Sequence, residues 1–308
     1  MSSIGRGPNE YQTYIYARYG FDEYNNTLFT SDKGPYGKEW KCINVETNKI
    51  ESIFKKPWPE NDDDNFSAYA PWLLRDNLYV SFSNNRTGKE KTKLIVFNRE
   101  GTIIRRFPNH LEYNWKNTGM PYNPGIFYYY NGLTYFKEWF YNDTVFLVNE
   151  HNVSPHIIFK LGNKQPSYAH QAEANFNKEK YLINFVYESD LFVLFNFRYF
   201  AEVGTMNFSG GTITQGKNIS THTGYYDKKS KQVYISSTSD FTKSGFEISG
   251  IPIGFHPIFI NKNHEMIAQI DPEELMQNRD KMDSRHTYLF QKVREDDNPI
   301  VIIAKLKQ

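Results

Sequence analysis

The chain contains one cysteine, Cys42, in 308 residues, so no disulfide can form within it. No apolar run approaches the roughly 20 residues that a membrane-spanning helix needs. Charge is nearly balanced, with 36 Lys+Arg against 35 Asp+Glu and a net +1, so no global field recruits nucleic acid or an anionic membrane. Met1-Ser2-Ser3 has neither the basic start nor the hydrophobic stretch of a secretory signal. The chain also lacks His-x-x-x-His, Cys-x-x-Cys and Gly-x-Ser-x-Gly. Its eight histidines, among them His151, His156, His170, His222, His256, His264 and His286, include no pair at metal-ligand spacing. The expectation is no metal, no cofactor and no catalytic residue.

Aromatic side chains are plentiful. They make up 17% of the chain, with 23 Tyr and 24 Phe. Such residues suit pleated, half-buried surfaces, and burying them offsets the entropy of ordering the chain. Both points favour sheet over helix and exclude disorder. Cys42 lies in an apolar-alternating stretch and reads as a small buried hydrophobe rather than a nucleophile.

A strand, tight turn, strand theme recurs about every 45 to 55 residues, the period of a β-propeller blade. In the second unit Ala70–Leu74, Leu78–Phe82, Lys93–Phe97 and Thr102–Phe107 are separated by Arg75-Asp76-Asn77 and Asn98-Arg99-Glu100-Gly101. In the third, Gly125–Tyr130 and Leu133–Lys137 flank Asn131-Gly132, the strongest short-range hairpin signal, because both residues tolerate positive φ. The pattern predicts an all-β propeller of four-stranded antiparallel blades, with five visible. It also predicts a polar Gly/Ser/Thr loop over 203–220. One helix is expected at 271–282, with Asp271 as cap, Pro272 in first position and Glu273-Glu274 complementing the dipole.

The opening phrase Ile4-Gly5-Arg6-Gly7-Pro8-Asn9-Glu10-Tyr11, the stretch Asn142-Asp143-Thr144-Val145 through Leu161-Gly162, and the ending Asp297–Lys307 occur in that order. Together they resemble the six-bladed β-propeller lipoproteins of Bacteroides-type bacteria. In that family the opening phrase follows the first blade. The resemblance therefore implies one propeller domain over 1–308, incomplete at its N-terminus, with the sixth blade truncated. It also implies a place in the cell envelope or periplasm and no established enzymatic role. In the family the closing strand, here Ile300–Lys305, pairs with one from the chain's start. Residues 1–10 are too rich in Gly and Pro for that, so a gap or a capped edge is expected beside 299–307.

The function expected is non-enzymatic binding of a glycan or peptide ligand, or of a protein partner, with no nucleic acid and no membrane span. The alternative is an envelope hydrolase or lyase acting on glycans at the central channel mouth. The innermost strands line that channel, which places Tyr69, Tyr122, Tyr128, Arg198 and His256 as candidate ligand contacts there, with Trp72 and Phe127 more suited to packing. Two further stretches read as solvated loops. Asn61-Asp62-Asp63-Asp64-Asn65 lacks the glycine and distal Glu of a calcium loop, and Asn207–Thr212 lacks the Lys-Ser/Thr of a phosphate loop.

Overall fold

The structure is a computed structural model. It describes residues 3–4, 10–11, 20–22, 25–30, 38–57, 68, 70–83, 88–113, 125–139, 141–170, 177–208, 211–236, 245–261, 263 and 265–305. Four consecutive four-stranded antiparallel sheets form successive blades. The first holds β3 (Gly20–Asp22), β4 (Thr27–Thr30), β5 (Glu39–Asn44) and β6 (Lys49–Lys55). The second holds β7 (Trp72–Arg75), β8 (Leu78–Phe82), β9 (Thr92–Asn98) and β10 (Ile103–Pro108). The third comprises β11 (Gly125–Tyr130), β12 (Leu133–Glu138), β13 (Thr144–Val148) and β14 (Val153–Ile158). The fourth comprises β15 (Tyr181–Glu188), β16 (Phe192–Phe208), β17 (Gly211–Asp227) and β18 (Gln232–Ile235).

The fifth blade is a three-stranded sheet of β21 (Phe259–Ile260), β22 (Glu265–Ile270) and β23 (Ile300–Lys305), beside the hairpin β19 (Phe246–Ile248) and β20 (Ile251–Phe255). The fold is thus the all-β propeller expected, and three strands of the last sheet lie among the described residues. Among the described residues β23 pairs with β22 alone, and its alternate residues Val301 and Ile303 are exposed. At the chain's start Ser3–Ile4 (β1) pairs in parallel with Glu10–Tyr11 (β2), where no strand was expected.

Strand alternation builds the core. On β9, Ile95 and Phe97 pack toward the first blade, whereas Leu94 and Val96 pack toward the third. On β8, Tyr79 and Val80 divide in the same way. A blade with apolar residues on both faces is stable only between neighbours, which is why these strands read as near-continuous hydrophobic runs. Trp40, Phe54, Tyr79 and Phe97 interlock between the first two blades. Phe54 meets Tyr79 edge-on at 4.6 Å and 84°, and Trp40 lies over Phe97 at 5.8 Å. Cys42 is buried in this cluster, and burial raises its thiol pKa, as suits a core residue.

The turns follow local chemistry. Asn131 and Gly132 have φ of 51° and 72°, the positive pair that a two-residue hairpin demands. The helix Pro272–Gln277 begins as expected, with the Asp271 carboxylate accepting from Glu273 N at 3.0 Å. A second short helix, Ser284–Leu289, follows a 3-10 turn at Arg279–Lys281 and is capped by Asp283. It was not anticipated, because six residues are too few to show a helical hydrophobic period. Leu275 and Met282 of this segment cover Ile251 and Ile253.

The segment read as a polar loop over 203–220 is instead the far half of a long hairpin. β16 and β17 pair without a break from Glu202↔Lys217 to Phe208↔Gly211. The unbroken backbone pairing sustains the ladder across residues whose composition reads as a loop.

Because Phe97 is fully buried against three aromatic rings, Phe97→Ala should cost about 3–5 kcal/mol in denaturant unfolding. A loss below about 1 kcal/mol would show that the first two blades do not depend on this contact.

Candidate functional site

A cavity of about 600 Å³ opens between the third and fourth blades. One wall is the outer strand β14 and the residues after it, from His156 to Leu161. The other is formed by the facing side of β15 to β18. Propeller blades diverge outward, so a cleft at the rim is where neighbouring sheets are least able to close on each other. Its walls are apolar and aromatic, with Phe159, Leu161, Ile183, Val193, Phe195 and Phe197 among them. Its lips are the exposed side chains of Ile158, Val233 and Ile235.

Two irregularities in strand register give the cavity its polar end. On β15 the pairing passes from Ile183↔Phe197 to Phe185↔Asn196, so Asn184 is an extra residue. That bulge reverses the side-chain parity. Glu188 then pairs with Val193 and falls on the cavity face together with Ile183. On β14 the pairing passes from Ile157↔Val145 to Pro155↔Phe146, which leaves His156 as the extra residue. His156 is thereby aimed at the same cleft. A regular ladder would turn Glu188 away from it.

Glu188 is almost wholly buried. Its Oε2 lies 2.6 Å from His156 Nε2 and its Oε1 is 2.6 Å from Lys228 Nζ. Tyr128 Oη donates to Oε2 at 3.5 Å. Lys228 also donates to Tyr130 Oη at 3.1 Å and sits over that ring, and Tyr130 Oη donates to Asp190 Oδ1 at 3.1 Å. Burial pulls the Lys228 ammonium pKa down, but the bonds to Glu188 and Tyr130 outweigh it and leave the pKa raised. Burial, reinforced by the Glu188 charge, holds Tyr128 well above its usual range and Tyr135 at about 12. The phenols therefore stay neutral, and Tyr128 serves as a donor. Gly224 supports the floor. It is the cross-strand partner of Phe195, and a Cβ there would lie 2.6 Å from that ring.

A second buried network joins the second and third blades where β12 ends. Glu138 is ion-paired with Lys93 and accepts from Tyr168 Oη at 2.8 Å and Asn142 Nδ2 at 3.3 Å. Lys137 is fully buried and donates to the carbonyls of Glu138 and Asn142. These bonds to backbone carbonyls make it a strut that fixes the β12–β13 turn.

The expected contacts are only partly brought together. Tyr69 and Tyr122 lie outside the described residues, as does Asn61–Asn65. Tyr128 is on the innermost strand of its blade, but it is buried, stacked on Tyr135 at 5.2 Å, and belongs to the polar end of the inter-blade cavity. Arg198 is on β16, the second strand of its blade, and is exposed. His256 precedes β21, the innermost strand of the fifth blade, as expected. Trp72 packs against Phe127 and Tyr129 at 5.8 and 5.4 Å, in keeping with a packing role. The sequence reading did not single out Glu188 or Lys228, and it counted His156 only as a histidine without a metal partner. A Pro-His pair inside an outer strand was the available sign, since Pro in a sheet marks an edge or a bulge. Among the described residues no cluster of His, Cys, Asp and Glu could hold a metal, and no helix is long and apolar enough to cross a membrane.

Fold and cleft together define a β-propeller with an apolar inter-blade cavity ending in a buried ion network. The chain belongs to the family described as Domain of unknown function (DUF4934), whose model matches residues 1–305. Among solved structures it is similar to a protein of Bacteroides fragilis provisionally assigned as exported. The identity is 16%, the TM-score is 0.63, and the match covers 100% of this chain and 80% of the other. At that identity the likeness carries the fold alone. No curated protein matches the chain.

Burial depresses the Lys137 pKa to about 7 and that of Lys56 to about 8, so the unfolded chain binds more protons than the folded one between there and the ordinary lysine range near 10.4. Stability should therefore rise with pH from about 7 to 9.5, below the tyrosine range, and fall as pH drops back toward 7. Lys137→Met should flatten that slope without removing it, since Lys56 remains. Urea midpoints across this window test it, and an equal slope in both proteins would contradict it.

Proposed function

We propose that the protein is a non-enzymatic ligand-binding β-propeller of the bacterial cell envelope. It works as one domain over 1–308, of the six-bladed Bacteroides lipoprotein kind, and takes its ligand in the cleft between the third and fourth blades. The observation that carries this reading is the cavity itself. Its volume of about 600 Å³ lies within the range of small-molecule sites, roughly 300–1,000 Å³, and apolar walls with a few convergent polar groups are the usual make-up of such a site. Its lips keep large aliphatic side chains in water, a cost that an apolar ligand would remove. The envelope location is supported by the exported assignment of the structural neighbour and by the phrases resembling Bacteroides lipoproteins.

The ion network favours binding over turnover. Each Glu188 oxygen already accepts from a basic group, and among the described residues Glu188 is the one carboxylate lining the cavity. A glycan hydrolase at this cleft would need a second carboxylate within about 5–10 Å that faces the cavity; Asp190, the other acid at this end, is hydrogen-bonded to Tyr130 Oη and is not part of the lining. The channel-mouth candidates Tyr69, Tyr122, Arg198 and His256 remain the rival location, with Tyr128 shared between the two.

The test uses N-phenyl-1-naphthylamine, a neutral fluorescent apolar probe. Saturable binding at one site is expected, and Val233→Trp, which places an indole at the lip, should weaken it about tenfold or more, a change of roughly 1.4 kcal/mol. Val233 is exposed, so the melting temperature should stay within about 2 °C. Probe binding that Val233→Trp leaves intact, while alanine at Arg198 and His256 abolishes it, would move the site to the channel mouth.

A further inference from the structure

We propose that the polar end of the inter-blade cavity holds the head group of an amphipathic monoanion, a carboxylate or sulfate whose apolar tail lies along the walls. This rests on the reading of the cavity as the ligand site and names the class of ligand. The cavity lining carries Lys160 and Lys228 against the one carboxylate Glu188, with His156 hydrogen-bonded to that carboxylate. Depth separates them further. The side chains of Lys228 and His156 are 24% and 28% exposed, whereas Glu188 is 4% exposed. An entering ligand therefore meets the bases first, with the carboxylate behind them.

Donor counting points the same way. An ammonium has three N–H donors, and Lys228 commits two, to Glu188 Oε1 and Tyr130 Oη. One remains for an acceptor in the cavity. His156 engages Glu188 through Nε2, which leaves Nδ1 as its second ring nitrogen. Asp190, the other acid at this end, is hydrogen-bonded to Tyr130 Oη.

Charge balance sets the valence. The two lysines of the lining, Lys160 and Lys228, against the Glu188 carboxylate leave one net positive charge, and a single negative head neutralises it. A dianion would leave buried negative charge, and a cation would add to a positive site, both unfavourable in an apolar surround. Phe159, Leu161, Phe195 and Phe197 offer the tail hydrocarbon and ring faces with no donor or acceptor. A sugar, with a hydroxyl on nearly every carbon, would leave those hydroxyls unpaired against such walls.

The experiment compares three ligands with the same tail (octanoate, 1-octanol and octylammonium) as competitors of N-phenyl-1-naphthylamine on the full chain. Octanoate is expected to displace the probe at a concentration at least tenfold below that of 1-octanol, with octylammonium the weakest. Lys228→Met should reduce the preference for octanoate over 1-octanol to within about twofold. Should Lys228→Met fail to fold, the native chain decides: octanoate displacement should weaken as salt is raised from 0.05 to about 0.5 M, while 1-octanol displacement should not. Equal displacement by octanoate and 1-octanol, or strongest displacement by octylammonium, would overturn the head-group assignment and leave the cavity reading standing. Probe binding that none of the three competes for would overturn both.

Discussion

The inner blades of this protein have to be covered on both faces, and the rest of the structure depends on that constraint. Alternating residues on β8, β9 and β12 send one apolar row to each neighbour, so the second and third blades are packed from both sides. A face left bare would expose several large side chains, each worth about 1.5–3 kcal/mol when buried. The radial arrangement follows, because twisted sheets stacked face to face in sequence curve round an axis. The same packing that makes the blades interdependent also forces them apart at the rim, where the cavity lies.

The cavity is therefore a product of the fold, and its chemistry is a product of two departures from it. One extra residue in β14 and one in β15 turn His156 and Glu188 into a cleft that strict alternation would line with hydrocarbon. Burying a carboxylate is costly unless it is paired, and Lys228, at the end of the long β16–β17 hairpin, provides a second base. The three elements meet at one point because the third and fourth blades are packed through Tyr128, Tyr135, Val186 and Phe195. The network is thus as rigid as the inter-blade core beneath it.

The architecture was legible in the sequence because it rests on local signals. Asn131-Gly132 specified its hairpin, Asp271-Pro272 specified its helix, and the apolar runs of β8, β9 and β12 specified strands buried on both sides. What was not legible depends on register. Glu188 ends an apolar run and counts as a solvent-facing terminus until the bulge at Asn184 is known, and a one-residue shift in parity leaves no mark on composition. Lys228 lies in a turn of like charges, Lys228-Lys229-Ser230-Lys231, that reads as solvated surface. The 203–220 segment misled for a different reason. Its Gly and Ser content suggests a loop, but a long antiparallel ladder draws its stability from backbone pairing and tolerates such residues. Tyr128 lies on β11, the first strand of its blade, and alternation turns its ring into the inter-blade core, a direction that its place in the sequence does not reveal.

The central claim is that the cleft between the third and fourth blades is where this propeller holds a ligand. The most direct measurement is a crystal structure of the protein soaked with 8-bromooctanoate, phased on the anomalous signal of bromine. The account predicts a bromine peak against the apolar wall around Phe159 and Phe197, with the carboxylate within hydrogen-bonding distance of Lys228 Nζ. A bromine peak at the central channel mouth beside His256, with the inter-blade cleft empty, would contradict it.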